Sequence, residues 1–84
     1  MRIHLQDPDN RDDMGASYEF TGTVERAITY LDGPVRKDLR PGAVVAVEAL
    51  DRAIQKLREG DLKAAIPAAR RVGVYLSRVG GEHG

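Results

Sequence analysis

The chain lacks cysteine and tryptophan, and it has one phenylalanine and two histidines among 84 residues. Without cysteine, disulfide bonds and thiolate metal sites are excluded. A zinc site would need carboxylates beside His4 and His83, and no such residues have the spacing of metal ligands. We therefore expect neither a metal nor a cofactor, and we expect a core of small aliphatic side chains.

Long apolar runs are also missing. No stretch approaches the length of a membrane span, and residues 1–5 lack the apolar core of a signal peptide. We expect a cytoplasmic protein that does not enter a membrane. Residues 1–84 are predicted to form a single small domain, near the size at which one core is just sufficient for stability. Self-association, most simply as a dimer, is an expected source of additional stability.

The formal net charge is zero, but the charges are unevenly distributed along the chain. Residues 1–34 carry three basic and seven acidic side chains, whereas residues 35–84 carry ten basic and six acidic ones. The simplest interpretation is that the acidic segment packs against the basic one. A neutral total argues against a dedicated nucleic-acid binder, although a single face could still be basic.

The N-terminal residues alternate between apolar and polar types. Ile3 and Leu5 flank a histidine, and Tyr18 and Phe20 flank a glutamate, which is the period of half-buried strands. Two strands alone are only marginally stable in water. Short N-terminal strands are therefore one alternative, and an extended or partly disordered segment over residues 1–17 is the other.

A short helix is predicted after these residues. Thr21 or Thr23 can serve as its N-cap, and an apolar stripe follows at helical spacing. Asp32-Gly33-Pro34 should end this helix, because glycine suits the C-terminal cap and proline cannot continue it.

The Gly60-Asp61 step separates two longer segments of helical period. Glycine suits the left-handed residue that ends one helix, and aspartate suits the N-cap of the next. The pattern predicts an antiparallel helical hairpin over about 42–59 and 62–79, with a frayed tail at 80–84. Pro67 lies inside the second segment, where it either kinks the helix or separates two shorter ones. The predicted fold class is mainly α.

Residues 53–66, which include the Gly-Asp turn, resemble one hairpin of a tetratricopeptide repeat. Ala53 and Ala65 occupy positions where that repeat has small residues. Its large aromatic positions are filled here by Ala49, Lys56 and Ala69, and the chain contains no second copy. Since such repeats need several copies for stability, we interpret the resemblance as shared turn chemistry.

Four apolar residues lie outside the main stripes of the two predicted helices. Counted from the turn, they lie at similar distances, so an antiparallel hairpin would gather them at its open end. An apolar end of this kind requires a cover, either the first helix or a second subunit. Our leading hypothesis is a non-enzymatic protein–protein interaction module that self-associates as a homodimer through this end. The predicted contact residues are Val44, Val45, Val74 and Tyr75.

The third predicted helix carries only basic charges. Pairs of cations one heptad apart would form two positive rows that could meet phosphates or an acidic protein surface. The alternative hypothesis is therefore a small nucleic-acid-associated or regulatory protein. The residues concerned are Lys63, Arg70, Arg71 and Arg78.

The sequence shows no arrangement typical of an enzyme. It contains no glycine-rich loop that could hold a phosphate. Arg78 and His83 have the Arg-x4-His spacing that resembles the HEPN ribonuclease motif, but His83 follows two glycines in the predicted tail. We predict a non-enzymatic protein without catalytic residues.

Overall fold

The protein is described here by a computed structural model that covers residues 1–11 and 13–79, so the predicted tail at 80–84 lies outside the described residues. Its central element is the strand β1 (Arg2–Arg11), which pairs on both sides in an antiparallel sheet. One neighbour is β2 (Ser17–Thr23) and the other is β3 (Tyr75–Arg78), in the order β2-β1-β3. The two N-terminal strands suggested by the alternation are thereby confirmed.

The sheet has one buried face and one exposed face. Ile3, Leu5 and Leu76 point to the inner face and are almost fully buried. Since side chains alternate along a strand, their polar neighbours point to the other face. There His4 lies opposite Thr21 on β2 and opposite Ser77 on β3. This pattern is typical of an antiparallel sheet with helices on one side only.

The first helix follows β2 directly. Helix α1 (Val24–Tyr30) begins after Thr23, whose hydroxyl accepts a hydrogen bond from the backbone N–H of Arg26. The predicted stop at Asp32-Gly33-Pro34 is wrong, because the backbone continues as a wider π-helical turn over Leu31–Val35 and a last turn, α2 (Arg36–Asp38). Proline is tolerated there because the hydrogen bonds of a π-turn join residues five apart. The bond between residues four apart, which proline cannot donate, is therefore not needed at this position.

An ion pair ties this region to the next helix. The Arg36 guanidinium lies 2.7 Å from Asp51 and 2.9 Å from Asp32. These carboxylates, Asp51 above all, raise the pKa of Arg36 above its ordinary value. The ion pair is partly exposed, so it contributes little to stability. Its main effect is to fix the orientation of this region relative to the next helix.

Two antiparallel helices complete the second layer. Helix α3 (Val44–Arg58) ends at the predicted glycine, and Gly60 has a φ of 78°. The N–H of Asp61 donates to the Lys56 carbonyl, and that of Gly60 donates to the Leu57 carbonyl, as in a Schellman motif. The Asp61 carboxylate then caps helix α4 (Leu62–Arg70) by accepting from the Ala64 N–H.

The prediction of a mainly α fold with a long helical hairpin is wrong. Helix α4 passes through Pro67 but ends at Arg70, and the chain then enters β3. Gly73, with a φ of 81°, makes a second Schellman motif: its N–H donates to the Arg70 carbonyl and that of Val74 to the Ala69 carbonyl. The fold is therefore α+β, a three-stranded sheet covered by helices on one face.

One hydrophobic core lies between the sheet and the helices. Leucines from the π-helical turn after α1, from α3 and from the strands meet there, and alanines of α4 allow a close approach between α3 and α4. The largest fully buried side chains are those of Ile3, Leu5, Leu31, Leu50, Leu57 and Val74.

The left-handed turn at Gly73 can be tested by substitution. A Cβ disfavours positive φ by about 1–2 kcal/mol, so Gly73→Ala should lower the free energy of unfolding by that amount. A Cβ at this position would also lie 3.3 Å from an Asp9 carboxylate oxygen. Urea denaturation measures the change.

Gly33→Ala is the matched control for that experiment. Gly33 lies in a helical turn without positive φ, and a Cβ there meets nothing within 4 Å. Its substitution should leave stability unchanged or raise it slightly. Equal effects at Gly33 and Gly73 would contradict the role assigned to the second turn.

Candidate functional site

A groove runs along the solvent-exposed faces of α3 and α4. Its volume is about 390 Å³. We call it the α3–α4 groove. It is lined by Val45, Glu48, Ala49, Arg52, Ala64, Pro67, Ala68 and Arg71.

The sequence produces the groove through two matching patterns. Both helices contribute residues at positions i, i+3, i+4 and i+7, which lie on one face over two turns. The central residues are small, so the floor is shallow and apolar. Because the helices run antiparallel from Gly60, Val45 and Arg71 lie at one end, and Arg52 and Ala64 lie at the other.

The apolar part of the groove is accessible to solvent. Val45 is 67% exposed at one end of it. Ala49 and Ala68 form the buried floor, and Pro67 is exposed above α4. An exposed valine beside an apolar depression is the arrangement expected of a contact surface.

Charges of both signs border this apolar floor. Glu48 and Arg52 lie one turn apart on α3, and Arg71 lies just beyond the end of α4. Within residues 1–11 and 13–79, none of these three side chains makes an ion pair. They are therefore free to meet charges on a partner.

The structure separates the four apolar residues predicted as contacts. Val45 lines the groove, whereas Val44 is 63% exposed on the flank of α3 that also carries Asp51. Val74 is fully buried in the core. Tyr75 is half exposed on the outer face of the sheet, opposite Gln6. These four residues do not share one apolar end, because the helix that was predicted to carry Val74 and Tyr75 ends before it reaches them.

The four predicted basic residues are also divided between elements. Lys63 and Arg70 belong to α4, and Arg71 follows its last residue, but Arg78 lies on β3. The Arg70 guanidinium lies 5.9 Å from the ring centroid of Tyr75, at the edge of the sheet. The structure therefore brings Lys63, Arg70 and Arg71 near one helix and places Arg78 elsewhere.

A buried polar network joins the sheet to α1. The Tyr30 hydroxyl donates to Asp7 over 2.7 Å and accepts from the Asn10 amide over 2.8 Å. The second Asp7 oxygen accepts from the Asp9 N–H. The ring of Tyr18 stacks on Tyr30 with centroids 4.5 Å apart. Asp7 is the buried charged residue of the described chain, and these bonds compensate its lost hydration.

A second polar cluster lies on the outer face of the sheet. The Nδ1 of His4 lies 2.9 Å from the Thr21 hydroxyl, and its Nε2 lies 3.0 Å from Glu19. A hydroxyl, an imidazole and a carboxylate in this order can activate a nucleophile. Here all three are accessible to water on an open sheet, where cross-strand pairs of this kind support strand pairing. Sequence analysis missed the cluster because it requires the register of two strands.

Two features are absent from residues 1–11 and 13–79. No group of three or more histidine or carboxylate side chains there could hold a metal ion. No helix in the same residues has the length and hydropathy needed to cross a membrane.

Comparisons of the chain with protein-family models, curated proteins and solved structures found no match. The function proposed below therefore rests on the geometry of the α3–α4 groove.

The buried network predicts a loss of stability on removal of one hydroxyl. Tyr30→Phe leaves an oxygen of Asp7 buried without its donor, so we expect the free energy of unfolding to fall by roughly 1–2 kcal/mol. Tyr18→Phe is the control, because its ring stacks in the same cluster and its hydroxyl makes no hydrogen bond within the described residues. Equal effects of the two changes in urea denaturation would contradict this assignment.

The same hydroxyl should contribute a pH dependence. Burial and the hydrogen bond to Asp7 raise the pKa of Tyr30 well above its ordinary value of 10.0. Because the folded state holds this proton more tightly, the stabilisation is complete below about pH 10 and is lost as the pH rises further. Between about pH 9 and pH 11, the Tyr30→Phe variant should therefore lose less unfolding free energy than the wild type. A parallel decline in both proteins would contradict this expectation.

Proposed function

We propose that the protein is a non-enzymatic interaction module that forms a homodimer through the α3–α4 groove. The observation that carries the proposal is the exposed Val45 beside an apolar floor bordered by charges of both signs, which form no ion pair with the described residues. In this arrangement, one copy offers both the protruding side chain and the depression that can receive it.

A two-fold dimer uses each contact twice. Burying an exposed valine contributes roughly 1.5 kcal/mol, and symmetry supplies two such valines. The alanine floor and Pro67 add apolar area around them.

The size of the chain supports the same proposal. A domain of 84 residues buries a smaller fraction of its surface than a large one, and its core here consists largely of alanine, valine and leucine. Covering the groove with a second copy would extend the apolar contacts of α3 and α4. Dimer formation would thus stabilise the monomer fold by mass action.

Substitution of the protruding valine tests the proposal. Val45→Glu places a charge over the apolar floor, so we expect the dimer dissociation constant to rise by about tenfold or more. Sedimentation velocity from about 1 to 500 µM measures the monomer–dimer equilibrium.

Val44→Glu is the matched control, since it introduces the same charge one residue away on the flank of α3. Tyr75→Ser is a second control on the outer face of the sheet. Both variants should associate like the wild type. A wild-type protein that stays monomeric throughout the range, or equal weakening by Val44→Glu and Val45→Glu, would contradict the proposal.

A further inference from the structure

The charges at the rim of the groove indicate how the two copies are oriented. Glu48 lines the α3 wall of the groove, and Arg71 lines the opposite wall just after the end of α4. Neither residue makes an ion pair within the described part of the chain. Each is therefore a charge whose partner must come from solvent or from another molecule.

We propose that Glu48 of each subunit pairs with Arg71 of its partner, so that α3 of one copy lies along α4 of the other. This inference rests on the proposed dimer and specifies its symmetry. The two-fold axis then runs along the groove, and residues at the same level of α3 and α4 meet across the interface.

The levels of the two helices support this orientation. Counted from Gly60, Glu48 lies twelve residues before the turn and Arg71 lies eleven residues after it, so the antiparallel helices place the two at about the same level. Across the dimer, Glu48 would therefore lie opposite Arg71 of its partner, whose long side chain can reach the carboxylate.

The alternative cation is Arg52, which lies four residues after Glu48 on the same helix. A glutamate and an arginine at this spacing can pair within one chain, so association would add little to their interaction. Arg71 differs because α4 contains no acidic residue with which it could pair. Dimer formation thus gives Arg71 a carboxylate that its own helix does not supply.

Charge reversal tests the pairing. Glu48→Arg places a cation opposite the partner's Arg71, and Arg71→Glu places a carboxylate opposite the partner's Glu48. Each variant alone should associate about tenfold more weakly than the wild type, because like charges meet twice in its dimer. An equimolar mixture of the two should form a heterodimer with affinity near that of the wild type, since both pairs are then of opposite sign.

Sedimentation velocity gives the affinities, and native mass spectrometry distinguishes the heterodimer from the two homodimers by mass. The matched control is a mixture of Glu48→Arg with Arg52→Glu, in which we expect no recovery. Recovery with Arg52→Glu, or none with Arg71→Glu while the wild type dimerises, would overturn the inference and leave the proposed dimer standing. A monomeric wild type would instead overturn the proposed function itself.

Discussion

The fold depends on the left-handed turn at Gly73. This residue ends α4 and directs the chain back to the sheet, where β3 pairs with the free side of β1. Without that return, β1 and β2 would form an isolated two-stranded ribbon, which is marginal in water. With it, Ile3 and Leu5 become the centre of a three-stranded sheet, and Val74 and Leu76 close the core beside them. The turn therefore links the stability of the sheet to the length of α4.

The same constraint shapes the candidate surface. Because α4 has only nine residues, it lies along about half the length of α3. The α3–α4 groove therefore extends over two turns. The alanines that let the helices approach also leave the floor shallow. Bulkier residues at Ala64 or Ala68 would fill the depression and separate the helices. The shape of the groove is thus a consequence of how the core is packed. That packing does not determine which charged residues surround the groove.

Local signals were read correctly where one residue dictates one conformation. Gly60, Asp61 and Thr23 are examples, since each satisfies backbone groups in its immediate neighbourhood. The prediction for the segment after Arg70 was wrong because Val72 and Leu76 continue the helical stripe of α4. Val74 lies outside that stripe, and its alternation with Val72 and Leu76 is the period of a strand. Gly73 followed by an apolar residue is the signature of a Schellman motif, and it was the available signal for a helix end. The π-helical turn around Pro34 had no such signal, because it depends on the ion pairs of Arg36 and the packing of Leu31 and Val35.

The groove itself could be anticipated only in part. Val45 was selected because it lies outside the core stripe of α3, and the structure places it at the groove. The α4 residues of the groove and the pairing of its charges could not be predicted in the same way. They depend on which residues of the two antiparallel helices lie side by side, and the pattern of one helix does not contain that information. The most direct measurement is an isotope-filtered NOE experiment on a mixture of labelled and unlabelled protein at a concentration where the dimer predominates. The account predicts intermolecular contacts from the Val45 methyls to the Arg71 side chain of the partner. A dimer whose intermolecular contacts all lie on the sheet, with none in the α3–α4 groove, would contradict it.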